Sequence, residues 1–159
     1  MKKVLTLCIV HKPFGDAQGK HPKILLGMKK RGFGAGKWNG FGGKVEKGER
    51  IVDAAKREMR EEAGIKLQDI SKVGVIEFEF KGNPEILKVH VFKASEFDGE
   101  PTESDEMRPK WFSVDKIPFS KMWPDDAHWL PHVLAGKKGK AKFWFDGFDK
   151  IVDKKIELV

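Results

Sequence analysis

Three carboxylates dominate the middle of the chain. Glu58, Glu61 and Glu62 stand in the run Arg57-Glu58-Met59-Arg60-Glu61-Glu62-Ala63-Gly64-Ile65. On a helix, side chains three and four residues apart lie on one face, so all three fall within an arc of roughly 100°. Like charges at that spacing cost an isolated helix about 0.2–0.5 kcal/mol per pair. A divalent cation reverses that sign, and carboxylate oxygens are the ligands that hard cations such as magnesium prefer. A plainer reading is a solvated acidic face balanced by Lys56, Arg57 and Arg60. It leaves unexplained the glycines just upstream, Gly32, Gly34, Gly36, Gly40, Gly42 and Gly43. Glycines let a backbone turn tightly or come close to a cation–phosphate cluster.

The wider pattern is specific. Gly43 is followed after five residues by Glu49, and after seven more by Arg57-Glu58, an apolar residue, Arg60, Glu61-Glu62, Ala63, Gly64 and apolar Ile65. This is similar to the signature box of the Nudix hydrolase family, a loop–helix–loop that binds magnesium. The resemblance implies that Glu58, Glu61 and Glu62 are metal ligands, with the carbonyl of Gly42 beside them and Glu106 added from outside the box. Arg57 would orient a glutamate, and Glu49 would brace the loop. The implied cofactor is Mg2+, with Mn2+ as a substitute. Such a site suits pyrophosphate hydrolysis: cations neutralise the phosphate oxygens and lower the pKa of an attacking water, and a carboxylate takes its proton. Glu58 and Glu62 both stand as candidates for that base.

Segments outside the box narrow the resemblance. Leu25 to Gly43, Glu103 to Pro109 and Met122-Trp123-Pro124-Asp125-Asp126 resemble the family members that hydrolyse oxidised purine nucleoside triphosphates, of the 8-oxo-dGTP and 2-hydroxy-dATP type, to the monophosphate and pyrophosphate. By that resemblance Asn39, Asp125 and Asp126 read the purine edge and Trp123 stacks on the base. Thr6, Phe33, Phe78, Phe80, Leu87, Trp129 and Phe145 line the pocket, and Lys29 contacts the sugar–phosphate side. Residue types alone allow other roles. Asp125 and Asp126 after a proline suit a helix N-cap, Phe78 and Phe80 suit sheet core, Asn39 suits a turn, Trp123 suits the core edge, and Glu106 suits a solvated acidic run. A close aspartate pair has its own chemistry: both do not ionise easily, so a proton can move to match different bases. Two positions depart from the resembled members, Leu87 where methionine is common and Lys37 where arginine is, and residues 11–23 form a longer connection.

The elements that must hold these residues follow from periodicity. Ile51, Val52, Ala55 and Met59 make an apolar stripe at helical spacing, predicting a helix over 51–63 capped by Gly64. Strands are predicted at 5–11, 24–28, 76–80, 87–91, 110–113, 141–145 and 151–159, with a loop over 11–23 and a turn at Gly82-Asn83-Pro84. A second helix is predicted from about Pro124 to Leu134. Strands outnumber helices, so the expected class is α/β of the mixed α+β kind, a Nudix fold with a mixed sheet sandwiched between helices.

Composition sets outer limits. The 159 residues carry a formal charge of +7, and 40% are apolar, which fits one domain over residues 1–159. A basic surface attracts polyanions of any kind, nucleotides and nucleic acids included, though an excess of lysine also occurs without an anionic partner. The lone Cys8 forms no internal disulfide and suits a reducing compartment, so a cytoplasmic location is expected. No apolar stretch reaches the length of a membrane span. The expected partner is a small nucleotide, bound by a monomer with no membrane and no stable nucleic-acid complex. Two other readings remain at this stage. One is a Nudix hydrolase of a dinucleoside polyphosphate, nucleotide sugar or capped RNA. The other is a non-enzymatic nucleic-acid module using its Trp residues to stack bases.

Overall fold

A computed structural model describes residues 2–12 and 21–159. The chain forms strands β1 (Lys2–Lys12), β2 (Lys23–Lys29) and β3 (Trp38–Asn39), helix α1 (Ile51–Ala63), then β4 (Lys66–Leu67), β5 (Ser71–Phe80), β6 (Ile86–Ala94), β7 (Phe97–Asp98) and β8 (Met107–Ser113). Helix α2 (Asp126–Leu134) and strands β9 (Gly139–Asp146) and β10 (Lys150–Leu158) complete it. The main sheet runs in the order β10-β9-β5-β6-β1-β2-β3, with β8 also on β2. The β1–β6 and β5–β9 pairs are parallel and the other ladders antiparallel, so the sheet is mixed.

Alternation decides which side each residue faces. Ile76, Val89, Val91, Phe143 and Phe145 pack on one side with Trp129, Leu130 and Val133 of α2. Cys8, Val10, Leu25 and Phe92 pack on the other with Ala55, Met59 and Ala63 of α1. The sheet therefore lies between the two helices, as expected. Met59 and Met107 are buried on the α1 side and Met122 on the α2 side. Burial, with a smaller contribution from the Asp69 charge, pushes the Cys8 thiol up to about 12.

Helix α1 has the bounds that its stripe and Gly64 predict. Gly64 sits at φ 71°, left-handed, and its N–H donates to the Arg60 carbonyl at 3.0 Å. Helix α2 begins at Asp126, not Pro124, because a turn precedes it in which the Asp126 N–H donates to the Trp123 carbonyl. The strands reach past their predicted ends, to Lys12 and Lys23 on either side of the long connection. Residues 13–20 of the predicted 11–23 loop lie outside the described residues.

The glycine stretch fills a gap in the sheet. Strand β1 pairs with β6 along one edge, but β2 covers only Val10 to Lys12 on the other. Residues 41–45 run alongside the rest: Cys8 and Phe41 exchange backbone hydrogen bonds, Thr6 donates to the Gly43 carbonyl at 2.8 Å, and Val45 donates to Val4. A Cβ on Gly42 would stand 1.8 Å from the Thr6 carbonyl oxygen, so only glycine allows this approach.

Candidate active site

Between the glycine stretch, the sheet and the start of α2 lies a cavity of ≈ 210 Å³. Its two ends differ in chemistry.

At one end stand Gly42, Gly43 and Glu62, with Thr6 and Lys29. Glu62 is only 3% exposed, and its Oε1 accepts from the Gly42 N–H at 2.9 Å. Burial, reinforced by the charge of Glu58, pushes its carboxyl up to about 8 against the opposing pull of Lys29. Glu58 lies at the same end, and a Cβ on Gly43 would come within 2.7 Å of its carboxyl carbon. Burial raises the Glu58 pKa too, opposed by Arg57. Arg57 organises this corner: it donates from Nε to Glu49 at 2.8 Å, from Nη1 to Glu58 at 2.9 Å and to Glu61 at 3.3 Å, and from Nη2 to the Lys44 carbonyl. Glu49 also accepts from the Glu46 N–H, so it ties the loop to the helix. Its pKa is held down, chiefly by the hydrogen bond from Arg57.

The acidic set is graded and not equivalent. Glu62 is buried, Glu58 is largely covered, and Glu61 and Glu106 are exposed at the rim. Glu106 lies 3.9 Å from Arg31, and its charge raises the pKa of both Glu58 and Glu62, which places it on their side of the molecule. Among the described residues no three acidic side chains close into a single cage, since Glu58 and Glu61 both turn to Arg57. The donor set nevertheless fits a hard cation. Glu62 is a buried carboxylate with no ion pair among the described residues, and there the Gly42 carbonyl accepts no hydrogen bond. A buried, unpaired charge is costly, and a cation offsets that cost.

The other end is aromatic and acidic. Phe78, Phe80, Phe145 and Trp123 form walls, and Phe33 stacks on Trp123 with centroids 5.1 Å apart. Phe78 and Phe80 also stack on Phe143 and Phe145, so they serve as core and cavity wall at once. Leu87 pairs across the ladder with Phe78. Asn39 lines the cavity, and its Oδ1 accepts from the Gly40 N–H, a turn contact.

Asp125 and Asp126 are both 3% exposed and both line the cavity. Neither acts as a helix cap. Asp125 occupies the cap position, but its side chain makes no cap hydrogen bond and Oδ2 instead accepts from the Trp129 indole. Asp126 Oδ2 is buried with no partner among the described residues. Burial raises both pKa values, Asp126 more strongly because the charge of Asp125 adds to it. Two carboxylates buried this close do not both carry a charge easily, so the pair favours holding a proton.

All the expected pocket residues from Thr6 to Phe145 border this one cavity. Sequence reasoning missed Leu5, Leu7, Ile76, Val89 and Met107, which border it as well. For Ile76 and Val89 the signal existed, because period-two alternation puts them on the face of Phe78 and Leu87.

A buried carboxylate gripped by a glycine loop, on a helix in a mixed sheet sandwich, defines a class: the chain belongs to the NUDIX family, whose domain pattern matches residues 12–133. Divalent metal is the general cofactor of that family. The chain is 53% identical over 157 residues to the oxidized purine nucleoside triphosphate hydrolase of Danio rerio, spanning 99% of this chain and 96% of that one. It is 54% identical over 137 residues to the mouse protein of the same name, covering 86% and 88%. Among solved structures, the MutT protein from Bacillus halodurans superposes with a TM-score of 0.82 at 27% identity, covering 98% of this chain and 97% of that one.

Proposed function

We propose that the chain hydrolyses oxidised purine nucleoside triphosphates to the monophosphate and pyrophosphate, using magnesium, for which manganese can substitute. The observation that carries this reading is that one cavity is bordered at once by the Asp125–Asp126 pair and by Glu62 with Gly42. A nucleotide has matching ends, a base with donors and acceptors and a polyphosphate needing cations. Similarity to the zebrafish and mouse hydrolases supports it.

The residues that would hold the metal are Glu58, Glu61, Glu62, Glu106 and the Gly42 carbonyl. When bound, it would neutralise phosphate oxygens and lower the pKa of the attacking water. Lys29 would meet the phosphates, and Arg57 holds Glu58 in place by a charge-assisted bond. Glu58 and Glu62 are the candidates to take the proton of the attacking water. Asp125 and Asp126 would read the base, one accepting and one donating. The chain would work as a monomer in a reducing cytoplasm, a setting compatible with its single free thiol, Cys8.

The test is direct. The protein is incubated with magnesium and a panel of normal and oxidised purine nucleoside triphosphates, and monophosphate and pyrophosphate are quantified. Oxidised purines should be favoured. Equal rates on normal and oxidised substrates, or release of orthophosphate with a diphosphate, would overturn the reading.

A further inference from the structure

Phe148 has no place in the site as described, yet it touches much of it. It sits in the turn between β9 and β10, and it is 54% exposed. Its ring packs edge-on against three aromatic rings of the cavity wall: Phe33 at 5.5 Å, Phe80 at 5.9 Å and Trp123 at 5.9 Å. It does not itself border the cavity. A turn residue with half its surface in water ordinarily gains little by being phenylalanine, since turns favour glycine, asparagine and aspartate.

What lies behind Phe148 gives it a role. A second cleft of ≈ 460 Å³ is bordered by Phe148, Phe33, Phe80 and Leu87, with Lys3, Lys81 and Glu85 as its charged lining. Phe33, Phe80 and Leu87 border the base cavity too. The two spaces are thus separated by a wall one side chain thick. Phe33 is its loosest part, 59% exposed and carried on the glycine loop. Phe148 is the ring that braces Phe33 from outside. A second tie joins the same two segments: Lys37 Nζ lies 3.8 Å from Asp149 and 5.4 Å from the Trp123 ring centroid.

We propose that Phe148 is a specificity-determining residue that, with Phe33, forms an aromatic clasp over the outer side of the base cavity. This rests on the reading of that cavity as the purine site. With the clasp closed, the wall is flat and apolar and favours purines whose substituents are small. With the clasp parted, a large substituent on the base passes into the neighbouring cleft, whose apolar wall of Phe33, Phe80, Leu87 and Phe148 suits an aromatic arm. Phe148 therefore trades breadth of substrate for tightness on compact bases. Edge-to-face pairs contribute beyond their buried area, so loss of one shifts binding measurably.

Binding without hydrolysis tests it. Dissociation constants are measured by calorimetry, in chelator, for 8-oxo-dGMP and for purine nucleoside monophosphates carrying a benzyl group at N2, N6 or C8. The wild-type protein should prefer 8-oxo-dGMP. Phe148→Ala should weaken 8-oxo-dGMP and tighten at least one benzyl probe, moving the ratio of the two constants by about tenfold. Phe148→Trp should restore the wild-type ratio, and Phe148→Leu should fall between. Because the side chain is more than half exposed, these variants keep the fold. An unchanged ratio, an equal loss on every probe, or no purine binding by the wild type overturns the clasp. Hydrolysis assays judge the proposed activity separately, so an inactive protein whose binding ratio shifts as stated would sink that reading and keep the clasp.

Discussion

The indole N–H of Trp129 donates to Oδ2 of Asp125 across 2.8 Å, from one helical turn further along the chain. The bond is buried, and it favours the ionised form of Asp125 against the burial that raises the pKa of both aspartates. If the aspartate pair reads the base as proposed, recognition would depend on this donor from Trp129, which borders the same cavity.

Removing that donor should change which base is read. Trp129→Phe keeps an aromatic ring in the core and deletes the N–H. Asp125→Asn fixes one amide in place of an exchangeable proton. Each should alter the ratio of kcat/KM on oxidised guanine to that on oxidised adenine by roughly tenfold, the value of a hydrogen bond to a charged group. Parallel kinetics on both triphosphates decide the matter, and a uniform loss on both would refute the assignment.

Glu62→Gln preserves shape and removes charge. Turnover should drop by about 100-fold or more, as loss of a base or a metal ligand commonly does. Near-normal turnover in excess magnesium would remove Glu62 from both roles.

The same residue should set a pH dependence of stability in the metal-free protein. Its folded pKa, about 8, lies above the ordinary value of 4.5. The unfolded chain therefore releases this proton first as pH rises. Stability is fully present below pH ~4.5 and declines as pH climbs toward ~8. Melting temperatures in chelator across that window should fall, and Glu62→Gln should flatten the slope. Glu58, Asp125 and Asp126 are shifted the same way and leave a residual slope. A wild-type curve as flat as that of the variant would contradict the linkage.

Gly42 and Gly43 are adjacent and should fail differently. A methyl group on Gly42 meets the rigid backbone of Thr6, whereas one on Gly43 meets the Glu58 carboxyl, a side chain that can move. Gly42→Ala should destabilise the fold by about 1–3 kcal/mol or more through overpacking. Gly43→Ala should keep most of its melting temperature and lose activity because Glu58 is displaced. Thermal unfolding and steady-state rates on the two variants distinguish these outcomes.

How much of this could be read in advance differs by residue. The bounds of α1 were legible because its stripe and Gly64 are local signals. The two-residue strands β3, β4 and β7 were not, since two residues carry no period. The start of α2 was misread because Pro124 and the aspartates resemble an N-terminal cap, while tertiary structure commits Asp125 to Trp129. The cavity walls were legible through family resemblance and alternation, and the spacing of Arg57 to Glu62 placed them correctly on α1. The unequal burial of Glu58, Glu61 and Glu62 was hidden, because it depends on where the glycine loop lies against β1. Phe148 gave no signal, since a turn residue has no face to be assigned to.

The sulfur atoms of the core carry one more consequence. Oxidation of cysteine proceeds through the thiolate, and Cys8, the single cysteine, is sealed beneath α1 with its pKa pushed up to about 12. Met59, Met107 and Met122 are likewise buried, Met107 at the edge of the cavity. Among the described residues Met28 is the one sulfur-bearing side chain that is only partly buried, so a protein proposed to act on the products of oxidative damage offers peroxide little sulfur to attack while its core stays closed.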